Sequence, residues 1–217
     1  MGDCGLIVKG LVFVAALIVF VGAADIYNFM DGINGITGGY SLAVLLPLMY
    51  VNSEEQFIDG NLIIVSVISV LVFCFFNFRK RAKCFAGDVG SIGMAFVVIF
   101  VLGKLMLATS DIRYILFLSV YGIDSVLTIV HRIMLHENLG EAHRKHAYQL
   151  MANELHIPHV LVSVVYMAIQ LGISAGLLFW GGWLYFVLVL IILALAYILF
   201  VRKYYHLHVE FLKSKGL

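Results

Sequence analysis

The sequence predicts an all-α, polytopic transmembrane helix bundle of about seven spans, and three observations carry that prediction. Of the 217 residues, 63% are hydrophobic and only 12% charged, and the mean hydropathy is +1.03, far from the composition of a soluble domain of this length. Apolar runs long enough to cross about 30 Å of hydrocarbon, roughly 20 residues each, recur along the whole chain. Lys and Arg collect in alternate connections between those runs. A transmembrane barrel would need alternating segments of about 10 residues, and the sequence has none, so residues 1–217 read as a single integral-membrane domain.

The spans are expected at 6–24, 36–51, 61–78, 90–109, 112–131, 157–179 and 183–201. The first could be mistaken for a signal peptide, but Asp3 interrupts the charged n-region and the run leads straight into a polar segment, so it reads as a retained helix. The second is short and carries Pro47. Cys4, Cys74 and Cys84 are odd in number and sit in or beside apolar runs, which argues against a disulfide framework or a CxxC metal site. Net charge is +1 with no basic stripe carrying interleaved aromatics, so nucleic acid is not an expected partner. Homo-oligomerisation is compatible with the sequence but not specified by it.

Orientation follows from the excess of Lys and Arg in cytoplasmic loops. Loop 3 holds Arg79, Lys80, Arg81 and Lys83, loop 5 holds Arg132, Arg144 and Lys145, and the tail holds Arg202, Lys203, Lys213 and Lys215. Those are eleven of the fourteen basic residues. Loop 2, with Glu54, Glu55 and Asp59, has none. Loops 1, 3 and 5 are therefore expected on the cytoplasmic side of an N-out, C-in chain.

The same three loops hold nearly all the unusual polar chemistry. Loop 1, from Asn28 to Gly39, threads Asp31 and two carboxamides among four glycines, which suits close backbone approach to an anion at a helix start or an ordinary Asn/Gly turn. Loop 3 runs from Asn77 through its basic residues to Gly87-Asp88-Val89-Gly90-Ser91. The basic run alone reads as a positive-inside anchor, whereas Asp88, between glycines at the membrane edge, has the character of a ligand for a hard cation. Loop 5 gathers His131, Arg132, Glu137, His143, Arg144, Lys145 and His146. Read as a helix, His143 and His146 share a face as half a zinc site, but no partner has ligand spacing, and phosphate or carboxylate recognition fits the cations better. Asp124, inside the fifth span, lies eight residues before Arg132, so two helical turns allow an ion pair between them. A proton-relay transporter built on Asp124 would call for midplane sites in repeated halves, and the sequence has no internal repeat.

Loop 1 resembles the Asn-x-x-Asp-Gly-x-x-Gly segment, and loop 3 the Gly-Asp-x-Gly-Ser segment, of the polyprenyl-phosphate N-acetylhexosamine-1-phosphate transferases. Glu141-Ala-His-Arg-Lys-His-Ala-Tyr-Gln-Leu150 resembles the His-containing cytoplasmic loop of the branch that initiates O-antigen and related lipopolysaccharide glycans, and Asp124, Thr128 and Arg132 are similar to the span before it. The resemblance covers about residues 20–165. It implies transfer of a sugar 1-phosphate from a UDP-N-acetylhexosamine to a membrane polyprenyl (undecaprenyl) phosphate, with Mg²⁺ or Mn²⁺ and release of UMP. It also implies Asp88 and Asp31 as metal ligands, and Asp88, Asp31, His143 and His146 as catalytic residues. Asn28, Asn77, Asp124, Arg132 and Arg144 are implied on the substrate side. Two departures stand out. Asn34 takes a position where many members have Asp, and the chain lacks the adjacent Asp-Asp pair that the family places upstream of loop 1. On the resemblance, the chain corresponds to the C-terminal part of an N-terminally truncated catalytic domain. The expectation is weak or absent catalysis by the chain alone, with a noncatalytic remnant that keeps part of the nucleotide-sugar site as the alternative.

Overall fold

The computed structural model describes residues 2–138, 140 and 144–214. Every element among them is helical: α1 (Gly2–Phe29), α2 (Ile36–Glu55), α3 (Gly60–Asn77), α4 (Gly87–Thr109), a 3₁₀ segment Ile112–Leu118 leading into α5 (Ser119–Met134), the short α6 (Ala147–Gln149) running into a π-turn Leu150–Glu154, α7 (His159–Trp180) and α8 (Trp183–Ser214).

Six helices among the described residues are long and apolar enough to cross a membrane. The expected count of seven is corrected at α2, which forms where predicted but falls short in hydropathy. Its 20 residues rise about 30 Å, enough to traverse the bundle. The shortfall has a structural reason: Thr37, Gly38, Gly39, Tyr40 and Ser41 are buried on every side of the helix. α2 packs against α3, α4 and α7, so it meets protein where the outer helices meet lipid, and small and hydroxylated residues serve close helix contact. The outer helices do the opposite and expose Phe13, Phe75 and Leu184. Pro47 sits within α2 without ending it, as a helix supported by neighbours tolerates.

Two further boundaries differ from expectation. The fifth span opens as a 3₁₀ segment, and α8 continues well past 201, the end of its apolar run, to Ser214. At one end of the bundle, Asp111 caps the 3₁₀ segment by accepting from the Arg113 N–H at 2.9 Å and pairs with the Arg113 guanidinium at 2.7 Å. That hydrogen-bonded guanidinium holds the Asp111 carboxyl below its usual value, and Arg113 also donates to the Gly181 carbonyl between α7 and α8. Loops 1, 3 and 5 meet at the other end.

Between the two ends runs a buried polar seam. Gln170 of α7, fully buried, accepts from the Tyr40 hydroxyl at 2.7 Å and the Val120 N–H at 3.2 Å, and donates to the Leu116 carbonyl at 2.9 Å. Tyr40 stacks on Tyr121 with centroids 3.5 Å apart. One carboxamide therefore ties α2, the 3₁₀ segment and α5 to α7. Gln170→Leu keeps the volume but removes four buried hydrogen bonds, the fourth to the Ser174 hydroxyl, and a loss of about 2–4 kcal/mol is expected, measured as a lowered detergent-solubilised melting temperature; an unchanged melt would remove the seam from the list of stabilising features.

Candidate active site

The site begins where α1 ends. Asn28 accepts a hydrogen bond from the Ser91 hydroxyl at 2.6 Å, which draws the end of α1 onto the first turns of α4. Three residues on, Asp31 accepts from the Thr37 hydroxyl at 2.5 Å and faces the Gly87 N–H that opens α4. Gly87 has φ +59, a left-handed turn that swings the chain from loop 3 into the helix. Asp88, the next residue, is exposed in that first helical turn, where the free N–H groups favour a carboxylate. Loop 1 and α4 thus bring Asn28, Asp31 and Asp88 to one corner.

Burial raises the Asp31 carboxyl above its usual value, and the negative charge of Asp88 adds to the effect, against the opposing hydrogen bonds from Thr37 and Gly87. Two carboxylates that repel across a partly buried corner form a donor set a hard divalent cation relieves. Among the described residues no group of three His, Cys, Asp or Glu residues is placed to hold a metal. Asp31 and Asp88 fit Mg²⁺, which commonly takes one or two carboxylates and completes its shell with water and substrate phosphate.

The loop 1 glycines turn out to be filled by protein. A Cβ on Gly32 would lie 2.2 Å from the Tyr148 hydroxyl, and one on Gly35, at φ +87, would lie 2.6 Å from the Phe78 ring. Of the two readings of loop 1, an anion cradle or an Asn/Gly turn, the packing at these two positions goes with the turn: the missing side chains admit loops 3 and 5. The carboxamides have similar duties. Asn77, buried, accepts from the Gly35 N–H at 2.7 Å and donates to the Cys84 carbonyl at 2.8 Å. Asn34 donates to the Arg79 carbonyl at 3.0 Å, which an aspartate could not do, and this accounts for the amide at that position.

Loop 5 is organised by Asp124. One carboxylate oxygen accepts from the Ala147 N–H at 3.0 Å and lies 3.3 Å from both His146 Nδ1 and the Thr128 hydroxyl. The other accepts from the Tyr166 hydroxyl at 2.6 Å. The expected ion pair with Arg132 does not form. Arg132 turns to Glu137 at 3.2 Å and the Asn138 carbonyl at 2.6 Å, while Lys145 pairs with Glu137 as well. Burial pushes the Glu137 carboxyl up, but its bonds from Lys145 and Arg132 outweigh that and leave it below its usual value. The helical face expected to join His143 and His146 is also corrected, because His146 is the extended N-cap of α6 with ψ 148. His143 lies outside the described residues. Arg144 is exposed. Tyr148, buried, donates to the Phe29 carbonyl at 2.9 Å and closes loop 5 onto loop 1.

Sequence reasoning passed over Tyr148, Tyr166, Thr37 and Ser91. The signal for Tyr166 and Gln170 was present, since polar residues four apart in an apolar span mark one interior face. The partners of Thr37 and Ser91 lie on other elements, beyond the reach of any spacing rule.

Asp124→Ala removes the shared acceptor and should cost about 2–4 kcal/mol, with faster amide hydrogen exchange across residues 147–154; protection equal to wild type would show that loop 5 is held elsewhere. Because folding raises the Asp31 pKa, its stabilisation is present below the ordinary value of 3.8 and lost as pH rises through the raised folded value. Without divalent cations, the wild-type melting temperature should fall relative to Asp31→Asn as pH rises from below 3.8 to neutral. Added Mg²⁺ should restore part of that loss, and a Mg²⁺-insensitive melt would count against the two-carboxylate site.

Residues 2–106 match the model of glycosyl transferase family 4. The chain is 37% identical over 82 residues to a phospho-N-acetylmuramoyl-pentapeptide-transferase of Thermotoga neapolitana, covering 38% of this chain and 26% of that protein. It is 30% identical over 138 residues to a Bacillus subtilis protein named "Probable undecaprenyl-phosphate N-acetylglucosaminyl 1-phosphate transferase", covering 61% and 38% respectively. A Thermotoga maritima phospho-N-acetylmuramoyl-pentapeptide-transferase is 26% identical over 121 residues, covering 56% and 38%. The chain thus spans between about a quarter and two-fifths of the length of these relatives. Their names cover two kinds of sugar substrate and do not single out the O-antigen branch. With its motif loops gathered at one end of a helical membrane bundle, the chain is similar over residues 2–106 to glycosyl transferase family 4, and over part of its length to relatives named as transferases of these two kinds.

Proposed function

We propose that the chain carries the nucleotide-sugar side of a phospho-sugar transferase that moves an N-acetylhexosamine 1-phosphate from a UDP-sugar to a polyprenyl (undecaprenyl) phosphate in cell-envelope glycan synthesis, with loops 1, 3 and 5 facing the cytoplasm. The observation that carries this reading is the convergence of Asp31 and Asp88 at the first turn of α4, beside the loop 5 segment anchored on Asp124. An acceptor phosphate oxygen forms a bond to the sugar-linked phosphorus, the bond to the UMP phosphate breaks, and UMP departs. Both reactants are anionic, so charge repulsion dominates the barrier and positioning with electrostatic screening supplies most of the catalysis.

In this reading Mg²⁺, when bound, neutralises the diphosphate and the developing charge on the leaving UMP. Asp31 and Asp88 would hold it, and Asn28 fixes the corner through Ser91. Arg144, exposed on the anchored segment, contacts the diphosphate, joined by His143. His146 acts by position, since it is buried against Asp124. The O-antigen type of substrate rests on the loop 5 resemblance alone.

A second reading, nucleotide-sugar binding without turnover, is favoured by one observation: the described residues offer two carboxylates and no third ligand. One assay separates the two. Purified protein in lipid nanodiscs should release UMP from UDP-N-acetylglucosamine only with both Mg²⁺ and undecaprenyl phosphate present. Asp88→Asn should reduce the rate by at least about 100-fold. UDP-sugar binding by calorimetry with no UMP release would select the second reading, and full activity in Asp88→Asn would sink the metal assignment.

A further inference from the structure

Outside the loop 1 and α4 corner, the bundle has an open groove between α5 and α8, of about 610 Å³, at the end where loop 5 lies. Its lower walls are apolar, from Leu127 and Val130 of α5 and Ile198 of α8, and its upper rim carries His131, Arg202 and His206. The change from apolar to polar occurs at the same height on both helices. His131 stands in the last turn of α5, and Arg202 directly follows the last apolar residue of the α8 run, Val201.

The rim is built, not merely exposed. The His131 ring packs edge-on against Tyr205, centroids 4.7 Å apart, and Lys145 of loop 5 places its ammonium 5.8 Å from the centroid of the same Tyr205 ring. Arg202 and His206 are one helical turn apart and both exposed. Glu137, a carboxylate of loop 5, is already shared by Arg132 and Lys145, so it does not offset Arg202. The groove mouth therefore keeps a positive excess at the level where lipid phosphates lie.

We propose that this groove binds one anionic phospholipid, with an acyl chain along Leu127, Val130 and Ile198 and its phosphate held by His131, Arg202 and His206. An apolar trough capped at one end by the Arg202 guanidinium and two imidazoles matches an amphiphile whose charge sits at the bilayer surface, whereas a soluble phosphate would gain nothing from the apolar walls. The site is separate from the Asp31 and Asp88 corner, which lies on loop 1 and α4, and it does not depend on the transferase reading.

Native mass spectrometry of the purified full chain in detergent, with equal amounts of phosphatidylglycerol and phosphatidylcholine of matched chains, tests the site. One phosphatidylglycerol adduct should be retained preferentially. Arg202→Ser combined with His206→Ser should lower that preference by about fivefold or more. Val130→Trp, which fills the trough at an exposed position and leaves the rim charges in place, should weaken retention of both lipids and stays informative if the double variant fails to fold. Lys203→Ser, whose ammonium lies over the Tyr204 ring at 5.0 Å, should change nothing. No headgroup preference in the wild type, an equal preference in the double variant, undiminished retention in Val130→Trp, or a dimer that forms in place of the lipid adduct would each overturn the proposal.

Discussion

A carboxylate in the interior of a membrane bundle must be surrounded by donors, because neither lipid nor water can solvate it there. Asp124 meets that demand by drawing on several elements: Thr128 from its own helix, His146 and the Ala147 N–H from loop 5, and the Tyr166 hydroxyl from α7. The returning chain after α5 is consequently pulled inward. Tyr148 comes with it and fills the space above Gly32, and its hydroxyl reaches the end of α1. The placement of loop 5 against loop 1 follows from satisfying one buried charge.

The same demand explains why α6 is so short. His146 caps it from an extended backbone, Gln149 completes the capping box, and a π-turn follows at once. π-turns are uncommon and accommodate local constraint. Here the constraint comes from both sides, since Glu154 at the end of the π-turn meets His208 of α8 at 2.6 Å. The extension of α8 beyond its apolar run therefore serves the loop 5 end of the bundle, gripping the segment that Asp124 holds from below.

Loop 1 illustrates how far apart residue type and residue role can be. Its glycines and carboxamides have the composition of a ligand cradle, yet Gly32 and Gly35 make room for Tyr148 and Phe78, and Asn34 and Asn77 bond to loop backbones. What remains outward from this knitted base is the carboxylate pair. Burial is the main cause of the raised Asp31 carboxyl, with the nearby charge of Asp88 adding to it, and this pair is the place that the proposed function gives to a cation.

The helical membrane class, the places of the helices and the grouping of loops 1, 3 and 5 were legible in the sequence, because hydrocarbon thickness sets run length and Lys and Arg concentrate on one side. The motif residues were legible as well, since backbone turns and carboxylates at helix starts leave local patterns: Asp31 and Asp88 could be named from loops alone. The partners could not. Asp124 lies two turns from Arg132, and helical spacing offered that pair, but only the fold shows His146 arriving from 22 positions away to take its place. The central position of α2 was hidden for the same reason, as a helix surrounded by protein sheds the apolar signal by which spans are recognised. Sequence alone determined which segments are long and apolar enough to form the bundle's helices and which residues carry charge. The tertiary structure decided which charges meet, because a buried carboxylate is satisfied by whatever donors packing brings within hydrogen-bond reach, and spacing along the chain does not record that.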